Sequence, residues 1–199
     1  PDEVAKIALA VDGCQASFER AVAEGVQLLV VHHGLFWGES LLLVGPHFGR
    51  LKTLLQGGCG LYAVHLPLDA HPEVGNNAEM ARLLRLEEIE PFGEYHGTEI
   101  GFAGRLDRPL DMSSLIGRLV EALGRPPLRV LDYGPEEIER VGCVSGGAAS
   151  MMDQVEKAGL DAYITGETSH SSFHEAVERE LNVLFAGHYA TETLGVKAL

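Results

Sequence analysis

Three histidines and two carboxylates in this 199-residue chain stand just behind apolar runs. His32 and His33 follow Leu28–Val31, Asp69 follows Leu61–His65, and His188 follows Val183–Ala186 with Glu192 four residues on. Neutral imidazole is a strong ligand for zinc, iron, manganese or copper. A carboxylate has two oxygens, so Glu192 can bridge two neighbouring ions. Two divalent cations about 3.5–4 Å apart are suited to activating water for hydrolysis.

Each feature also has a plainer reading. The histidine pair can be one buried, hydrogen-bonded ring beside an exposed one. His188 and Glu192 share a face only if the turn after His188 is helical; otherwise Glu192 is a carboxylate favoured by a helix N-terminus. Asp69, flanked by His65 and His71, can cap a turn ahead of Pro72. Ser145-Gly146-Gly147, between a strand and a helix, can offer backbone N–H groups to a phosphate or merely permit a tight turn. His170 and His174, spaced by four near Glu167, suit proton transfer or substrate contact, or a solvated helix face. Phe36 and Trp37 can stack on a ring or join the core. The joint placement of five donors at strand ends is what favours metal.

The elements that must position these groups alternate. Ile7–Val11, Leu28–Val31 and Leu61–His65 read as strands, with helices at Gln15–Glu24, His47–Gln56 and Asn76–Leu84, the last capped by Asn76 or Asn77. Pro91–Gly97 reads as a loop and Glu99–Arg105 as a strand. Asp111–Gly124 is a helix with the stripe Leu115, Ile116, Leu119, Val120 and Leu123, capped by Asp111 or Ser113 and stopped by Gly124. Alternation then resumes through strands at Val141–Val144, Ala162–Thr165 and Val183–Ala186, with helices at Ser150–Ala158, Ser171–Glu180 and Thr191–Leu199. This is an α/β pattern, and in open α/β sheets ligands bind beyond the carboxyl ends of the strands.

A formal charge of −14 disfavours nucleic-acid binding. No apolar run approaches the roughly 18 residues of a membrane span. Three dispersed cysteines, Cys14, Cys59 and Cys143, form no zinc-finger or disulfide spacing and fit a reducing, cytoplasmic location.

Four blocks, LLVVHHGLFW, LYAVHLPLDAHPEVGNNAEMARLL, DAYITGETSHSSFHEA and FAGHYATETLGVKAL, occur in order. They resemble the NGG-interacting-factor-three-like (NIF-three) family, whose bacterial members are often labelled GTP cyclohydrolase type-two homologues. The likeness runs from about Ile7 to Leu199 and is weakest between Pro91 and Glu139. It implies a two-lobed α/β fold with mixed sheets flanked by helices: a metal-binding lobe from residues 1–92 and 183–199, and a second lobe from 93–182. It also implies two divalent ions (zinc, iron or manganese) and a homohexameric ring. By position, His33 and Asp69 would hold one ion, His32 and His188 the other, and Glu192 would bridge. Members usually extend beyond both Pro1 and Leu199, so a trimmed chain is expected. The label implies hydrolytic opening of the guanine ring of GTP with formate release, whereas other members are known as transcription-factor partners or metal-binding proteins. The expectation is a metal-dependent hydrolase of a nucleotide or related heterocycle. In it Glu192, His170 and His174 do the chemistry and Ser145, Gly146 and Gly147 hold phosphate. The alternative is a non-catalytic metal-binding, metal-delivery or protein-interaction scaffold.

Overall fold

The computed structural model describes residue 1, residues 3–38 and residues 40–199. The chain divides into two compact units, Pro1–His65 and Leu66–Leu199.

The first unit is a β-α-β-α-β succession: β1 (Ile7–Asp12), α1 (Gln15–Ala23), β2 (Leu28–His33), α2 (Gly45–Gly57) and β3 (Gly60–Ala63). The three strands are parallel in the order β1-β2-β3. Alternation along the strands decides which residues meet the helices. Ala8, Ala10, Leu29, Val31 and Leu61 pack with Phe18 and Ala21 of α1 and Leu51 and Leu54 of α2. The neighbours Ile7, Leu9 and Tyr62 point to the other face and are exposed. α2 opens with Pro46 in its first turn and closes on Gly58 at φ 63°, the left-handed C-cap that glycine adopts most readily.

The second unit begins with a single turn, α3 (Leu66–Asp69), and α4 (Asn76–Leu83). β4 (Leu86–Tyr95) and β5 (Thr98–Leu110) form a hairpin. α5 (Met112–Leu123), β6 (Arg129–Asp132) and β7 (Ile138–Cys143) follow. A 3₁₀ turn at Ala149–Met151 leads into α6 (Met152–Lys157), then β8 (Ala162–Thr165), α7 (Ser172–Glu178), β9 (Asn182–Phe185) and α8 (His188–Ala198). The six strands lie in the order β4-β5-β7-β8-β9-β6. β7, β8 and β9 are parallel; β4, β5 and β6 run antiparallel to their neighbours.

Both faces of this sheet are covered, which explains the unbroken apolar runs in β8 and β9. Ala162, Ile164 and Leu184 face Met80 of α4, Leu84 just past its end, Leu115 and Leu119 of α5 and Leu194 of α8. Tyr163, Val183 and Phe185 face Met152 and Val155 of α6 and Ala176 of α7. Of the two candidate caps for α5, Asp111 is the one used: its Oδ1 accepts from Ser114 N at 2.7 Å, and Gly124 ends the helix at φ 72°.

Three local expectations are corrected. Pro91–Gly97 is not a loop, because β4 continues to Tyr95 and pairs Pro91 with Phe102. Neither Asn76 nor Asn77 caps α4; Gly75 occupies that position and both amides are buried. α7 starts at Ser172, so His170 precedes the helix. Among the described residues no helix is long and apolar enough to cross a membrane.

Candidate metal centre

In the first unit the donors arise where β2 and β3 end. Parallel register sets Asp12 beside His33, and His33 Nδ1 lies 2.8 Å from Asp12 Oδ1. His32 Nδ1 lies 3.1 Å from the carbonyl oxygen of Val64. A carbonyl can only accept, so His32 carries its proton on Nδ1 and, when neutral, keeps its lone pair on Nε2. The carboxylate favours the same tautomer at His33. A carboxylate or carbonyl behind Nδ1 is the usual support of a metal-ligating imidazole.

The His32 and His33 ring centroids are 4.7 Å apart, and the His65 ring lies 5.0 Å from the first and 5.3 Å from the second. One ligand atom from each of these three residues falls within 4.8 Å of the others. The sequence places His65 at the end of the LYAVH strand, flanking Asp69, but assigns it no ion. Trp37 meets His65 edge-on at 4.9 Å. Phe36 and Trp37 are 63% and 57% exposed, so neither belongs to the core.

In the second unit two donor groups are fixed by the ends of β7, β8 and β9. Asp69 is 4% exposed. Its Oδ1 accepts from Asn76 Nδ2 at 2.9 Å and from Ser145 Oγ at 2.7 Å. Asn76 Oδ1 in turn accepts from Gly195 N at 2.7 Å, and Asn77 Oδ1 accepts from Ser145 N at 2.7 Å. Of the buried pair read from sequence as cap candidates, Asn76 therefore holds the carboxylate, and Asn77 positions Ser145, the carboxylate's second donor. His71 does something else: its Nδ1 accepts from the backbone N–H groups of Glu73 and Val74.

His188 opens α8, so its i+4 partner Glu192 lies on the same face, with His188 Nε2 2.9 Å from Glu192 Oε1. His188 Nδ1 lies 2.8 Å from Glu167 Oε1. The hydrogen bond to Glu192, then its charge and the contact with Glu167, push the imidazole up to about 9 against the opposing effect of partial burial. Glu167 and Glu192 flank the ring, so the two carboxylates together favour positive charge at this place.

Gly146 makes this approach possible. A Cβ there would sit 2.5 Å from Glu192 Oε1 and 3.2 Å from His188 Nε2, and its φ is +68°. Its N–H donates to Thr191 Oγ1, and its carbonyl accepts from Gly166 N and Glu167 N. Of the N–H groups expected to meet a phosphate at Ser145-Gly146-Gly147, those of Ser145 and Gly146 thus already have protein acceptors. His170 and His174 line a pocket with Arg129, and none of the three residues of this turn lines it.

The donor chemistry fits divalent transition metals: imidazoles backed by acceptors in one unit, and buried, hydrogen-bonded carboxylates beside a histidine in the other.

The profile described as Duf34/NIF3 (NGG1p interacting factor 3) matches residues 1–199, and the chain belongs to this family. A protein of Deinococcus radiodurans named GTP cyclohydrolase 1 type 2 homolog is 46% identical over 198 residues, spanning 100% of this chain and 75% of its own length. The protein of the same name in Escherichia coli K12 is 43% identical over 202 residues, spanning 100% of this chain and 78% of its own. Among solved structures, TTHA1606 from Thermus thermophilus matches with a TM-score of 0.90 and 44% identity over 100% of this chain and 78% of that one. Reduced HcgD from Methanocaldococcus jannaschii matches with a TM-score of 0.85 and 27% identity over 98% of this chain and 76% of that one. The fold is the mixed α/β, two-sheet arrangement of these proteins.

Proposed function

We propose that the chain is a dinuclear metal-dependent hydrolase of a nucleotide or related heterocycle. The observation that carries the reading is the imidazole cluster of His32, His33 and His65, in which Asp12 and Val64 hold the first two rings by Nδ1. In this reading the first unit offers His32 and His33 as ligands, and the second offers Asp69, His188 and Glu192. Bound there, divalent ions supply Lewis acidity and water that ionises near neutrality.

The chain's own groups have the remaining tasks. Asp12 fixes the His33 tautomer. Asn76 and Ser145 fix the Asp69 carboxylate. Glu167 orients His188 through Nδ1, and Glu192, buried beside it, would accept a hydrogen bond at the reacting end of a substrate. His170 and His174 offer exchangeable protons on the substrate side. The names of the relatives point to GTP as the substrate to try first. The protein loaded in turn with zinc, iron(II) or manganese is incubated with GTP, and formate and the ring-opened nucleoside triphosphate are measured, alongside a nucleotide and phosphoester panel. Turnover that Glu192→Gln abolishes supports the reading; absence of turnover on every substrate with every metal contradicts it.

One observation favours a second reading. The exposed apolar side chains Ile7, Leu9 and Tyr62 share one face of the first sheet, as suits a metal-holding scaffold for a protein partner. That reading predicts bound metal and partner capture without turnover.

A further inference from the structure

Beyond the β8 and β9 carboxyl ends lies a pocket of about 450 Å³ lined by Arg129, Thr168, Ser169, His170, Phe173 and His174. A cleft of this size accommodates a nucleotide-sized ligand. Its chemistry is unusual for a chain with a formal charge of −14. One guanidinium, two imidazoles and two hydroxyls line it, and no lining residue is acidic. Among the described residues Arg129 has no carboxylate partner, whereas Arg118, Arg140 and Arg179 are paired with Asp107, Glu90 and Glu156. A second open cleft differs: Arg82 and Glu79 both line it, and they pair with each other.

The walls are set before any ligand arrives. β6 pairs Arg129 with Phe185, the last residue of β9, and Leu128 N donates to Phe185 O at 2.7 Å. This fixes the Arg129 backbone at the sheet end from which His188 departs. The opposite wall is pinned by the buried Ser172, whose Oγ accepts from Ser169 N at 3.0 Å and lies 2.7 Å from Ser169 Oγ. Tyr133 meets Phe173 edge-on at 5.7 Å along the apolar wall. Thr168 directly follows Glu167, the residue that holds His188 Nδ1. The pocket therefore starts one residue from the second unit's candidate metal ligands.

We propose that this pocket binds the phosphate group of a phosphorylated ligand. Arg129 supplies the planar fork of donors, Thr168, Ser169, His170 and His174 supply further hydrogen bonds, and the Phe173 face lies against the organic part of the ester. Phosphate binding stands on these six residues. Its use as the phosphate subsite of the metal-dependent substrate rests on the hydrolase reading above.

The test uses the full chain treated with chelator, so that metal cannot hold the anion. Inorganic phosphate, GMP and GTP are titrated in turn by calorimetry, and the His170 and His174 ring signals are followed by NMR. Wild type is expected to bind GTP and GMP, and phosphate more weakly, with shifts at both rings. Arg129→Ala should weaken GTP binding at least about tenfold, and Arg129→Lys less. His174→Asn, on the exposed side of α7, repeats the test should Arg129→Ala fold poorly. Equal GTP affinity in wild type and the variants, or no binding and no ring shift, overturns the proposal. Binding of phosphate without GTP or GMP assigns the pocket to the free anion and overturns the ester assignment. In none of these cases is metal uptake altered, so the hydrolase reading fails or stands separately.

Discussion

Asp12 Oδ1 lies 2.8 Å from His33 Nδ1, across a parallel register that pairs the two residues at the ends of β1 and β2. A carboxylate in this position sets the tautomer and raises the basicity of Nε2. Loss of such support commonly lowers metal affinity about 10–100-fold. Asp12→Asn should therefore weaken zinc binding by that order in a chelator competition while leaving the circular dichroism of the fold unchanged. His33→Ala should weaken it further.

The Asp69 carboxylate hangs on a buried amide. Asn76→Ala removes the donor to Asp69 Oδ1 and leaves Gly195 N, which donates to Asn76 Oδ1, without that acceptor. A buried donor left unmatched and a lost charge-assisted bond together cost about 3 kcal/mol. Urea denaturation should show that loss, and the folded variant should carry less metal than wild type.

Gly146→Ala is expected to be severe. Its φ of +68° disfavours any side chain, and the new Cβ would meet Glu192 Oε1 at 2.5 Å. The left-handed conformation alone costs about 1–2 kcal/mol. Chemical denaturation should show at least that loss, and metal analysis of the variant should show the His188–Glu192 ligands disabled.

His188 gives a pH dependence whose sign is fixed by its raised value. In chelated protein its imidazole is pushed up to about 9 by Glu192 foremost, against an ordinary value of about 6.5. Folding therefore favours the protonated ring. The resulting stabilisation is complete below pH about 6.5 and is lost as pH rises through about 9. The melting temperature of chelated wild type should fall across that window, and Glu192→Gln should flatten most of the fall. An equally steep fall in Glu192→Gln would assign the dependence to other groups.

The sequence was most legible where the signal is local. The β8 and β9 runs, the α5 stripe with Asp111 and Gly124, and the four-residue spacing of His188 and Glu192 all depend on neighbours within a few residues, and each is found in the structure. Pro91 misled because proline and Gly93 read as a loop. β4 is an edge strand, where a missing N–H leaves no ladder bond unmade. Asn76 and Asn77 misled for the opposite reason. Their partners Gly195 and Ser145 lie far along the chain, so the short-range habit of asparagine at helix starts pointed the wrong way. His65 was read only beside Asp69, and Arg129 was passed over, because their neighbours, His32 across the sheet and the loop after β8, become visible only once strands are paired.

The central proposal is that His32 and His33 of the first unit, and Asp69, His188 and Glu192 of the second, are ligands of divalent cations. Elemental analysis of protein purified without chelator, beside His33→Ala and Glu192→Gln, tests it most directly. The account predicts about two transition-metal ions per wild-type chain, fewer in His33→Ala, and at most a trace in Glu192→Gln with all three proteins folded. Folded wild-type protein that takes up no zinc, iron or manganese, or variants that retain the full complement, would contradict it.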